Sequence, residues 1–291
     1  MSGCFISSSC FPKTSISEAL EQGGDLACKR VELSAPHHFE PSEEIHRLLR
    51  AYKRAGYEIQ IHNYFPPPIE DFVLNIAASD NNDIQMAHAL VHNALELSEV
   101  ADCHIYGLHG GYLYPSGREK NGEFKFSGEK MSYEEALNNA CRFVNEVSEK
   151  FAERKVRLLI ENLFPSKDDN HSLFCSLDDI RDFFKLVPDQ VGLLLDLGHL
   201  NITSNLWGIE REQLFNDVLL NFADRIYEVH LSENNGVHDQ HKAVLDDSWQ
   251  LNAIEILQSS VPNDLSFCLE ARNAKQDEIK RSLRLINEII A

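Results

Sequence analysis

Two hydrophobic periods alternate along the chain. Short apolar runs of strand length occur at Cys4–Ser9, Cys28–Ser34, Glu58–Asn63, Cys103–His109, Val156–Asn162, Val191–Leu197, Ile226–Leu231 and Phe267–Arg272. Between them lie stretches whose apolar residues recur every three or four positions, the mark of a helix with one buried face. These helices are expected over Ser15–Gln22, Pro41–Ala55, Asp83–Val100, Ser132–Arg154, Leu177–Leu186, Glu210–Asp224, Ser248–Ser260 and Lys275–Ile290. Pro41 suits a first helical position, with Ser42 as a cap in the neighbouring register, and Ser132 with Glu135 reads as a capping box. Strand and helix in strict alternation predict a parallel sheet with crossover helices. Eight such units close into a (β/α)8 TIM barrel, here as one α/β domain over 1–291. A doubly wound open sheet is the alternative, but no Gly-rich phosphate loop follows the first strand.

The most informative stretch is VGLLLDLGH, from Val191 to His199. Its apolar run is that of a strand buried on both faces, and it ends in Asp196 with His199 three residues on. In parallel α/β proteins the strand C-termini form the active face. A carboxylate there is either a ligand or a cap for the next helix. The other strand ends favour the ligand. They contribute His62, His109, Glu161, His230, Glu270 and Arg272, and the loop after the seventh strand adds His238, Asp239 and His241. Imidazoles and carboxylates gathered at one mouth are a donor set for Zn²⁺, Mn²⁺ or related divalent ions. Without a cation, so many carboxylates would repel one another.

Composition narrows the picture. Apolar residues make up 43%, enough for a large core, and no run of about 18 apolar residues exists to span a membrane. The N-terminus lacks the basic start of a signal peptide. Seven cysteines stand at scattered positions without a CxxC pair, which fits free thiols in a reducing cytoplasm. The 27 basic residues are outnumbered by 46 acidic ones, for a net charge of −19. Duplex DNA is therefore a disfavoured partner. The one cationic cluster is Arg118, Lys120, Lys125 and Lys130, in the long connection Gly110–Met131. That connection and Tyr64–Asp80, with its Pro66-Pro67-Pro68 run, have the length of functional lids.

The motifs ENLF, LDLGH, VHLSEN and LEAR, in this order over essentially the whole chain, resemble the xylose isomerase-like barrel superfamily. That superfamily includes sugar isomerases and epimerases, inosose dehydratases and endonuclease IV. The resemblance implies a shared metal centre of Glu161, Asp196, His230 and Glu270. The endonuclease IV branch adds ligands for a three-zinc cluster, which here fall on His62, His109, His199, Asp239 and His241. The HNYFPPP segment does not match the DNA-penetrating loop of that branch. Two activities follow as expectations. The first is a metal-dependent sugar or sugar-phosphate isomerase/epimerase, with Glu161 and Glu270 moving a proton and Arg272, Asn162, His238 and Arg118 holding substrate. The second is a multi-zinc phosphodiesterase of the endonuclease IV type. A non-catalytic metal-binding protein is a third class, disfavoured because no position of the ligand set is broken. The partner expected is a small carbohydrate, with a homodimer compatible and the ions numbering one, two or three.

Overall fold

A computed structural model describes residues 3–11, 14–70, 72–120, 123–167 and 170–291. Among them, eight strands close into a barrel. These are β1 (Phe5–Ser7), β2 (Arg30–Leu33), β3 (Glu58–His62), β4 (Ile105–His109), β7 (Arg157–Glu161), β8 (Gly192–Asp196), β9 (Ile226–Leu231) and β10 (Ser266–Leu269). Every neighbouring pair is parallel, and β10 closes on β1. Such a sheet has no free edge. The two remaining strands, β5 (Ser116–Lys120) and β6 (Glu123–Ser127), form an antiparallel hairpin in the connection after β4.

Helices α1 (Ile16–Asp25), α2 (Ser42–Arg54), α3 (Asn81–Ala101), α4 (Tyr133–Glu153), α5 (Leu177–Phe184), α7 (Arg211–Phe222), α8 (Trp249–Ser260) and α9 (Gln276–Ile290) occupy the connections where periodicity places them. Helix α6 (Leu197–Trp207) breaks the simple alternation. It runs on directly from β8, because Asp196 ends the strand and caps the helix in one residue, its Oδ1 accepting from His199 N at 2.7 Å. The chain LGHLNITSNLW mixes polar and apolar residues and is buried on most sides, so it shows little 3.6-residue contrast.

Three local expectations shift. Pro41 is the N-cap and not the first helical residue, its carbonyl accepting from Ile45 N at 3.1 Å, and Ser42 provides no cap. Ser132 caps α4 through Glu135 N, without the return bond of a full box. The last barrel strand stops at Leu269, which leaves Glu270 and Arg272 in the loop beyond it.

Pairing register brings the polar strand ends side by side. His109 is the partner of Glu161, and Asp196 is the partner of His230. His62 lies across from Gly107, whose missing side chain makes room for it. A Cβ at Gly107 would stand 2.8 Å from His62 Nδ1 and 2.5 Å from Leu194 Cδ1. No helix among the described residues is long and apolar enough to cross a membrane.

Candidate metal centre

Below the mouth the strands are close-packed: Leu193, Leu194, Leu195, Leu231 and Leu269 have no exposed surface. Above this floor the strand ends are polar. Glu161, Asp196, His62, His199, His230, His241 and Glu270 are all buried. Four overlapping groups have ligand atoms within 4.8 Å of one another: Glu32, His62 and His230; His62, His109 and Glu161; Glu161, Asp196 and His199; and Asp196, His230 and Glu270.

The histidines are set for ligation by the nitrogen that faces away. His109 Nδ1 is 3.0 Å from the hydroxyl of Tyr112, which leaves Nε2 at 3.4 Å from Glu161 Oε2. His199 Nδ1 donates to the carbonyl of Asn162 at 2.7 Å, so its Nε2 faces Asp239. His241 Nδ1 donates to the carbonyl of Glu270 at 2.9 Å. His230 is turned the other way. Its Nε2 is 3.3 Å from Glu32, and its Nδ1 approaches Glu270 at 3.5 Å and Glu161 at 3.8 Å. Outer partners of this kind fix ring orientation and leave a lone pair inward, as in metal sites generally. Glu270 is itself steadied by the Ser7 hydroxyl, which donates at 3.3 Å.

The inward atoms then lack partners. Glu161 Oε2, Asp196 Oδ2 and His230 Nδ1 are buried without a hydrogen bond. Orphaned buried donors and acceptors are rare and costly unless something else satisfies them. Electrostatics agree. Burial pushes the pKa of Glu161 up to about 8 and that of Asp196 above its usual value, and neighbouring carboxylates push in the same direction. Burial holds His62 down to about 4, in its neutral, ligating form. Burial opposes charge on His199 too, but Asp196, Asp239 and Glu161 outweigh it and push that ring up to about 10. A divalent cation among these groups removes both the orphaned atoms and the carboxylate repulsion, so the donor set fits such an ion.

The remaining expected residues lie around this cluster. Asp239 Oδ2 is 2.6 Å from His241 Nε2, and Arg272 Nη2 is 2.6 Å from the same nitrogen. Three further residues expected to hold substrate make the following contacts. Asn162 spends both ends of its amide on the backbone of Asp196, accepting from its N at 2.7 Å and donating to its O at 3.0 Å. Arg118 turns back to buried Asp83 of α3 at 2.8 Å. His238 is exposed at the turn after β9, where its backbone N–H donates to Asn235. The side chain of Lys120 lies outside the described residues. What the hairpin presents instead is aromatic. Phe124 packs on Tyr112 and Tyr64, at centroid distances of 5.6 and 6.2 Å, and Tyr64 lies 6.3 Å from the His109 ring. Phe164 lies 4.8 Å from the His199 ring on the other side.

Two residues escape a reading of strand ends. Glu32 and Glu228 sit within β2 and β9, fully buried beneath the mouth. Burial and adjacent Glu32 push Glu228 well above the carboxylate range, while His230 outweighs burial to keep Glu32 below it. The signal available in the sequence is an acid in the middle of an otherwise apolar strand, as in VEL and YEVHL.

Comparison with known proteins agrees with this architecture. A Methanocaldococcus jannaschii protein designated MJ1614, itself uncharacterised, is 25% identical over 215 residues, which is 70% of this chain and 73% of that one. The crystal structure of a D-tagatose 3-epimerase-like protein superposes with a TM-score of 0.73 at 19% identity, over 99% of this chain and 100% of the other. That of a D-psicose 3-epimerase with D-tagatose, from Clostridium cellulolyticum H10, gives 0.69 at 16% identity over 99% of each. At these identities the likeness to both is one of fold. The profile of the family described as xylose isomerase-like TIM barrel matches residues 24–288, and the chain belongs to that family.

Proposed function

We propose that this chain is a divalent-metal-dependent sugar or sugar-phosphate isomerase/epimerase. The observation that carries the reading is the convergence of Glu161 and Glu270 on His230, from positions separated by two barrel strands, with Asp196 paired beside them. In this reading Glu161, Asp196, His230 and Glu270 hold the ion, Zn²⁺ or Mn²⁺. Such an ion supplies Lewis-acid polarisation of a neighbouring carbonyl and tolerates the negative charge that develops there. Glu161 and Glu270 take and return a proton at the adjacent carbon. Removal on one face and return on the other inverts that carbon, and return to the neighbouring carbon isomerises the sugar. The aromatic surface of Tyr64, Phe124 and Phe164 excludes water and stacks on the apolar face of a small ring. The similar fold of a D-psicose 3-epimerase and of a D-tagatose 3-epimerase-like protein supports this class of chemistry.

A second reading has its own support. His62 and His109 share Glu161 with the first centre, which makes room for a second ion. Two ions bridged by a carboxylate suit phosphoester hydrolysis, where they generate hydroxide and neutralise the leaving group. The net charge of −19, and a hairpin whose Arg118 is engaged by Asp83, speak against a polyanionic duplex as its substrate.

One preparation decides between them. A panel of ketoses and their phosphates is assayed for C–H exchange in D₂O, and an abasic-site duplex is assayed for nicking, each with zinc or manganese. The expected result is metal-dependent exchange in at least one sugar, lost in Glu161→Gln. Nicking that Glu161→Gln abolishes, with no exchange in any sugar, reverses the order of the two readings.

A further inference from the structure

We infer that the guanidinium of Arg272 takes the place of a third metal ion, so that this chain carries at most a two-ion centre despite possessing all nine side chains of a three-ion cluster. The inference rests on the metal-centre reading above. The residues that would hold a third ion are His199, Asp239 and His241. They do not come together as the other groups do: no cluster of ligand atoms among the described residues includes Asp239 or His241.

The geometry around His241 explains why. Its Nδ1 is committed to the Glu270 carbonyl at 2.9 Å, which leaves only Nε2 for a metal. An imidazole nitrogen offers one lone-pair direction, in the ring plane. Arg272 Nη2 already lies 2.6 Å from that nitrogen. Asp239 Oδ2 is also 2.6 Å from it. Two ligands on one tetrahedral zinc, each at about 2.0–2.1 Å, stand roughly 3.3 Å apart, so this Asp–His pair is too close to hold an ion between them. His199 Nε2 is 3.8 Å from the same Asp239 oxygen.

The charge balance points the same way. The guanidinium places a permanent positive charge against the one nitrogen of His241 that would otherwise ligate an ion. Arg272 stands two residues after Glu270, in a loop rather than in a strand, and this is what lets its side chain reach back over His241. The remaining two centres, Asp196–His230–Glu270 and His62–His109–Glu161, include neither Arg272 nor His241 and keep their unsatisfied atoms.

The test is stoichiometry. The full-length protein is stripped with chelator, reloaded with excess zinc, passed through gel filtration and analysed for zinc per chain, beside Arg272→Ala and Arg272→Gln. Circular dichroism confirms that each variant is folded, and two variants guard against the loss of one. The expected result is no more than two zinc ions in the wild type and one more in the Arg272 variants. Adding Asp239→Asn to Arg272→Ala is expected to remove the extra ion. Three ions in the wild type, or the same non-zero count in wild type and both Arg272 variants, overturns this inference and leaves the metal-centre reading standing. No zinc in any of the proteins overturns the metal-centre reading, and this inference with it.

Discussion

Glu32 Oε2 and His230 Nε2 meet at 3.3 Å inside the barrel, with no exposed surface on either residue. The carboxylate accepts the Nε2 proton and thereby turns the Nδ1 lone pair toward Glu161 and Glu270. Such outer partners typically account for 10–100-fold in metal affinity. Glu32→Gln preserves shape but weakens the bond to the ring. We expect it to lower zinc affinity by about tenfold or more in a chelator-competition titration, with the fold intact by circular dichroism. Affinity equal to wild type would show that His230 is oriented by its neighbours without Glu32.

Gly107 faces His62 across the β3–β4 pair, and the two are matched in volume. Gly107→Ala places a Cβ against His62 Nδ1 and Leu194, both closely held. Overpacking of this kind costs about 1–3 kcal/mol. The expected outcome is a lower Tm together with a fall in bound zinc, because the ring that must move belongs to the cluster. A Tm loss with full zinc content would mean that Leu194 alone gives way.

Phe124 on the hairpin tests the roof. It touches Tyr112 and Tyr64 and makes no polar contact with the cluster. Phe124→Ala is expected to raise KM for a sugar substrate by roughly 10-fold, the equivalent of about 1.4 kcal/mol, while zinc content stays the same. A change in metal content with KM unchanged would assign the hairpin to the metal and not to the substrate.

His37 gives a pH signature outside the cluster. Burial holds its ring down to about 4, with Nε2 at 2.8 Å from the Ser8 hydroxyl. The unfolded chain takes up that proton near pH 6.5, whereas the folded protein resists it. Stability from this group is therefore complete above about pH 6.5 and is lost as pH falls toward about 4, roughly 3 kcal/mol in all. His37→Gln should be less stable than wild type at about pH 7.5 and should close part of the gap at about pH 5, as read from urea midpoints. Parallel curves for the two proteins would rule out this residue as the source.

The barrel itself is legible in the sequence. Strands such as Ile226–Leu231 and helices such as Ser248–Ser260 announce themselves through local periodicity, which reports burial one residue at a time. The cluster is legible for the same reason. His62, His109, Glu161, Asp196 and His230 each end an apolar strand, and parallel packing carries such ends to one face.

What only the tertiary structure decided lies in contacts between distant segments. Helix α6 is hidden because it is buried on most sides, so it lacks the amphipathic contrast that marks a surface helix. Asn162 and Arg118 carry the chemistry of substrate contacts, yet one is spent on the Asp196 backbone and the other on Asp83. Glu32 joins the cluster from 198 positions away in sequence, through a barrel closure that no local pattern encodes. Side-chain type and strand position follow from the order of residues, because they depend on near neighbours. Which of two donors a histidine meets, and whether an ion or an arginine stands beside Asp239, depend on where the closed barrel brings remote loops together.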